Sequence, residues 1–99
     1  MGATSKEDIV MFISEHKAEF EQKFGAKKIG LFASYAKGEA REGSDIDIVV
    51  ELERPDLFCL IGIKQMVEEA FGCKVDIVRL REKMNETLRR RIEQDVIYV

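Results

Sequence analysis

Apolar positions change their spacing along the chain, and each change marks an element. Between Lys6 and Lys23, Ile9, Phe12, Ile13 and Phe20 recur at helical intervals, so this stretch is predicted as one helix with a single buried face. Ser5 is placed to cap its start, Glu7 and Asp8 follow in the first turn, and Gly25 ends it. His16 falls beside the apolar stripe, where it flanks the core rather than performs chemistry. Lys28–Phe32 is short and apolar and reads as a strand. Ala33–Gly38 leaves that strand and is expected to make one or two helical turns; Glu39–Ser44 is polar and reads as a loop. Asp45–Leu52 then alternates, with Ile46, Ile48, Val50 and Leu52 on one face and Asp45, Asp47, Val49 and Glu51 on the other. After a turn at Arg54-Pro55-Asp56, a helix is predicted over Leu57–Phe71, with Leu57, Leu60, Ile61, Val67 and Phe71 inward and Gly72 as its cap. Cys73–Leu80 reads as a third strand and Met84–Gln94 as a last helix, on which Leu88 and Ile92 share a face. Val96–Val99 is apolar enough to dock as an edge strand or a tail.

Helices that alternate with short strands imply an α/β (α+β) domain: a small mixed sheet flanked by helices, in the order αβαβαβα. The segment between the first two strands is too short for a comfortable parallel crossover, so that pair is expected to be antiparallel. The chain has 99 residues, 45% hydrophobic and 35% charged, which suits one globular domain spanning 1–99. At that size an oligomer or a bound partner would add useful burial. The net charge of -3 argues against a general nucleic-acid surface and suits a site that collects cations. No apolar run reaches the length of a membrane span and no signal core is present, so no membrane association and a cytoplasmic location are expected. Cys59 and Cys73 form no CxxC pair and have no histidine at zinc spacing; they read as reduced, packed thiols.

Three features carry chemistry. Asp45 and Asp47, two apart on a strand, point to one face, and two carboxylates so close need a cation to offset their repulsion. Oxygen ligands favour Mg²⁺ or Mn²⁺. Taken alone, an Asp-x-Asp at a strand start is often a solvated end. Asp76 sits among apolar residues of the third strand. It either lies on an exposed edge in water or, if that strand neighbours the second, completes a three-carboxylate patch. Ala33-Ser34 ends the first strand before a helical turn, a place where backbone N–H groups and a hydroxyl favour phosphate, and Lys37 one turn on could add positive charge. Alone, that feature reads as an ordinary N-cap serine beside a surface lysine. Together, the three describe a site in which two metal ions, about 3.5–4 Å apart, would bridge the acids and a triphosphate. The Arg89-Arg90-Arg91 run reads mainly as a solvated helix face.

The stretch from Gly30 to Gly38, followed by Ser44-Asp45-Ile46-Asp47-Ile48-Val49-Val50 and later Val75-Asp76-Ile77-Val78, resembles the signature of the DNA polymerase beta-like nucleotidyltransferases. The short length resembles the minimal nucleotidyltransferases, antitoxins of modules whose toxin is a HEPN-domain ribonuclease. The resemblance implies a polymerase beta palm-like fold, with Asp45, Asp47 and Asp76 as catalytic Mg²⁺ ligands and Ala33, Ser34 and Lys37 at the nucleotide. It further implies transfer of AMP from ATP to a tyrosine of a HEPN-type toxin, which silences the toxin. Two other readings stand beside it: an impaired antitoxin that acts by binding alone, and a nucleotidyltransferase acting on a small molecule or an RNA end. The family carries glycine where this chain has Ala33. Whether a methyl is tolerated there depends on the sign of its φ.

Overall fold

Alternating branched side chains make Ile46–Leu52 a strand, β2, on which the sheet is assembled. In the computed structural model, which describes residues 5–38, 44–54, 56–81 and 83–99 and follows Ser34 through its backbone only, β2 is central. It pairs antiparallel with β1 (Ala26–Phe32) and parallel with β3 (Val75–Arg79). Ile97–Tyr98 adds to the far side of β1 as β4, so the sheet is mixed, in the order β3-β2-β1-β4. The antiparallel first pair is as the sequence predicts, and of the two readings of the C-terminal residues, edge strand or tail, the strand forms.

The alternation in β2 sorts the two faces. Ile46, Ile48, Val50 and Leu52 join Ile29 and Leu31 of β1 and Val75 of β3 in the main core. Helices α1 (Lys6–Glu15), α2 (Lys17–Phe24) and α4 (Leu57–Phe71) cover it with Ile9, Ile13, Phe20, Ile63 and Val67. The opposite face is covered only in part, by α5 (Glu86–Asp95), whose Ile92 packs on Val49 and Phe32. Val49 is therefore fully buried although it shares a face with Asp47. A short helix, α3 (Ala33–Lys37), connects the end of β1 toward β2.

Two expectations are corrected. The predicted single first helix is two, broken at His16, whose φ of -103° and ψ of 8° leave the helical region. The His16 backbone N–H donates to the Phe12 carbonyl, and its Nδ1 lies 2.8 Å from the same oxygen. Its ring stacks on Phe12 at 4.2 Å, so this histidine flanks the core as expected and also ends the first helix. In α4 the bounds agree, but the inward stripe is Leu60, Ile63, Val67 and Phe71, three and four residues apart, with Ile63 and Val67 fully buried. Leu57 and Ile61 lie round the helix from it and are 69% and 41% exposed. The α1 cap does form: Ser5 and Asp8 exchange side chain-to-backbone hydrogen bonds in a capping box. Residues 39–43 of the expected loop and Pro55 of the expected turn lie outside the described residues. Both cysteines are free thiols, and among the described residues no helix is long and apolar enough to cross a membrane.

The seat of β4 depends on one small residue. A Cβ on Gly30 would stand 2.9 Å from the Ile97 carbonyl oxygen and 3.0 Å from the Tyr98 and Val96 side chains. Gly30→Ala is expected to cost about 1–3 kcal/mol, because backbone rather than a flexible tip must give way. Denaturant midpoints check this; an unchanged midpoint would mean that β4 contributes nothing to stability.

Candidate active site at one end of the sheet

Sheet register brings the predicted acids to one place. Asp47 is the cross-strand partner of Phe32 on β1 and of Asp76 on β3. Neighbouring strands lie about 4.8 Å apart, and paired residues project to the same face, so Asp47 and Asp76 stand side by side. Asp45 is two residues earlier on the same face. β1 runs opposite to β2, so its last residue delivers Ala33 and Ser34 to the same sheet end. The acids and the strand-to-helix turn thus converge, on the face that α5 covers incompletely. Asp76 is exposed and β3 is an edge strand, so the solvated-edge reading of that residue also describes it. Register, not burial, ties it to Asp47.

Electrostatics agree with the geometry. Burial raises the Asp47 carboxyl above the usual carboxylate range; the Asp76 and Asp45 carboxylates raise it further, and the Arg91 guanidinium partly offsets them. Ionised Asp47 is thus held at a cost that a cation would relieve. Among the described residues, no three acidic, imidazole or thiol groups stand close enough to grip a metal ion as they are. The backbone nevertheless aligns three carboxylates on one face, an all-oxygen donor set. The residues therefore fit a hard divalent cation.

Ala33 is the only non-glycine among the described residues with positive φ, at 61°. Its left-handed backbone lets the chain turn sharply from β1 into α3. For an alanine this costs about 1–2 kcal/mol, which glycine avoids. The departure noted in the sequence thus falls where the backbone does require glycine-like freedom. The Ser34 hydroxyl, expected at the phosphates, lies outside what is described.

Lys37, expected to face the phosphates, is instead committed within the chain: its Nζ lies 3.4 Å from Asp95 Oδ2 on α5. Both side chains are partly exposed, so the pair contributes little and can open readily. Two residues thus border the site that the sequence did not place there: Asp95, and Arg91 of the run read mainly as a solvated helix face. They are one helical turn apart on α5, the helix whose Ile92 is anchored on Val49. Their signal was faint, because a charged run on an amphipathic helix looks the same whether it faces water or a site. A groove of about 540 Å³ beside Val10, Met11 and Ile97 lies by the β4 edge and is remote from the acids.

Residues 13–99 match the model of the nucleotidyltransferase domain. The chain is 34% identical over 100 residues to the protein adenylyltransferase MntA of Thermococcus cleftensis, covering all of both. It superposes with a TM-score of 0.70 on a solved candidate minimal nucleotidyltransferase, at 30% identity, covering 90% of this chain and 93% of that one. At 21% identity and a TM-score of 0.61, its fold is also similar to that in a complex of the tri-AMPylated Shewanella oneidensis HEPN toxin with MNT antitoxin, covering 89% of this chain and 69% of that one. With its acids, turn and sheet order placed as described, the chain belongs to the nucleotidyltransferase domain family, in its minimal form.

Proposed function

We propose that this nucleotidyltransferase is an antitoxin that transfers AMP from ATP to a tyrosine hydroxyl of a partner HEPN ribonuclease and so neutralises it. The observation that carries the reading is the position of Asp47, in register with both Asp76 and the strand end that leads into the Ala33 turn. The 34% identity to a protein adenylyltransferase over the full length supports the reaction class. Asp45, Asp47 and Asp76 would hold Mg²⁺, two ions when nucleotide is bound. The metal would supply charge neutralisation at the phosphates and a more acidic acceptor hydroxyl.

The acceptor oxygen attacks the α-phosphorus of ATP, so a P–O bond to the tyrosine forms. The bond from the α-phosphorus to the bridging oxygen breaks, and pyrophosphate leaves. The hydroxyl proton passes to a carboxylate. Asp76 suits that role, since it is exposed on an edge strand where an acceptor can approach. The turn at Ala33 and Ser34 holds the phosphates beside Asp47. Lys37 reaches them once released from Asp95. The reading places the protein in the cytoplasm, where ATP and a ribonuclease toxin meet.

ATP labelled at its α-phosphate is expected to mark the HEPN protein in the presence of Mg²⁺ and not after chelation. A HEPN protein that binds this chain yet stays unlabelled would overturn the transfer. The positive φ of Ala33 favours a second reading in that event, an antitoxin that acts by contact alone. Asp47→Asn would then still neutralise the toxin.

A further inference from the structure

A transferase of this size has little surface to spare for its acceptor, and the edge of the sheet nearest the acids has an unusual make-up. β3 is hydrogen-bonded on one side only. Along it and its flanks stand Lys74, Arg79 and Arg81, beside Asp76 and the Glu68 carboxylate that accepts from the Val75 N–H at 3.1 Å, on a chain whose net charge is -3. Among the described residues neither Arg79 nor Arg81 has its side chain in an ion pair. The Arg89 guanidinium donates to the Arg81 carbonyl at 3.2 Å and is also paired at 4.0 Å with Glu93.

Cations on an edge strand can serve simply to prevent edge-to-edge aggregation. That function does not require an apolar recess, and one is present. A groove of about 370 Å³ crosses the β3 edge from α4 to the start of α5, with Leu60, Ile77, Met84 and Leu88 as its apolar lining and Arg79 and Arg81 as its charged lining. Apolar floor and the Arg79 and Arg81 guanidinium groups together select a segment that carries both apolar and acidic side chains. Val78, which with Met84 and Leu88 brings the groove onto the α5 side of the sheet, is two residues from Asp76 on the same face of β3, about 7 Å away, whereas Arg79 leaves the strand on the other face. A protein held in the groove would therefore have its neighbouring residues at the acids. A second copy seated there would instead cover the approach to Asp76, which an acceptor needs.

We infer that the groove over the β3 edge is the docking surface for the acceptor protein, which enters it with an acidic, apolar segment. The inference rests on the proposed transfer to a HEPN protein. It adds which surface recognises that protein and by what chemistry.

The test uses the double variant Arg79→Glu, Arg81→Glu, with binding of the HEPN protein and of Mg²⁺·ATP measured separately by calorimetry. Loss of HEPN affinity of about tenfold or more, with ATP affinity and Tm unchanged, is the expected result. The affinity of the unaltered chain should also fall with added salt, and that of the variant should not. Undiminished HEPN binding by a folded variant would overturn the docking surface and leave the proposed reaction intact. An unaltered chain that binds ATP but no HEPN protein would overturn the proposed acceptor, and the inference with it. If the double variant fails to fold, Arg81→Glu alone, at an exposed position outside β3, takes its place with the same outcomes. A chain that is a stable dimer in solution and becomes monomeric in the variant would show the groove to be a self-interface and overturn the inference.

Discussion

Asp47→Asn is expected to abolish nucleotidyl transfer, by about a thousandfold, while making the protein harder to unfold. A thousandfold is roughly 4 kcal/mol of the several that a correctly held metal ion contributes to a phosphoryl-transfer transition state. The variant keeps the size and most of the polarity of the side chain, so the strand pairing on both sides of position 47 should persist. The stability gain follows from the same arrangement that makes the residue useful. The folded-state pKa of Asp47 is raised by burial and by two neighbouring carboxylates. Above that raised value, the ionised group costs stability relative to the unfolded chain, in which it ionises normally. The cost disappears as the pH falls through the raised value toward the ordinary carboxylate range, because the folded state then holds the proton more tightly than the unfolded one. The thermal advantage of Asp47→Asn should therefore be present at neutral pH and vanish on acidification. Mg²⁺ should raise the Tm of the unaltered chain and not that of the variant. Paired thermal melts across pH, with and without Mg²⁺, check all three statements. A variant that is less stable at neutral pH would show that Asp47 is not held against its neighbours' repulsion.

Ala33 gives the second large effect, and it runs in both directions. Ala33→Gly is expected to stabilise the chain by about 1 kcal/mol, because glycine takes the positive φ without the clash that alanine carries. In a domain of this size that corresponds to a Tm gain of about 4–8 °C. Removing the methyl also lets phosphate approach the backbone more closely, so nucleotide affinity should rise. Ala33→Val should do the reverse and more strongly, since a β-branched residue is a genuine outlier at positive φ. A loss of about 2 kcal/mol and of nucleotide binding is expected for it. Melting curves and titration with ATP in Mg²⁺ distinguish the outcomes. Equal stability of the glycine and alanine forms would mean that the turn at position 33 is not under strain. A gain in stability with no gain in affinity would separate the turn from the nucleotide site and favour the second reading, in which the chain neutralises a partner by contact alone.

What was legible in the chain was whatever depends on periodicity and local chemistry. The alternation over Ile46–Leu52 identified the face that enters the core and the face left for Asp45 and Asp47, because strand side chains alternate irrespective of what surrounds them. Ser5, Gly25, Asp56 and Gly72 bound their helices through short-range hydrogen bonds and backbone freedom, both of which are written in neighbouring residues. Asp45 and Asp47 were visible as a pair for the same reason. Long-range relations were not visible. Nothing local to Asp76 places it opposite Asp47; only the parallel register of β3 on β2 does so. Nothing local separates Ile61 from Ile63 as the buried isoleucine of α4, because the choice depends on how the helix is rotated against the sheet. The same holds for Lys37, whose partner Asp95 lies on another helix, and for Arg91, whose field reaches Asp47 only because Ile92 anchors α5 on Val49. Position 33 required both levels: the sequence has a methyl where the signature it resembles calls for glycine, and only the turn from β1 into α3 shows that the backbone there is left-handed. Local interactions select elements within a few residues, whereas a site assembled from three strands and a helix exists only once hydrophobic burial has docked them.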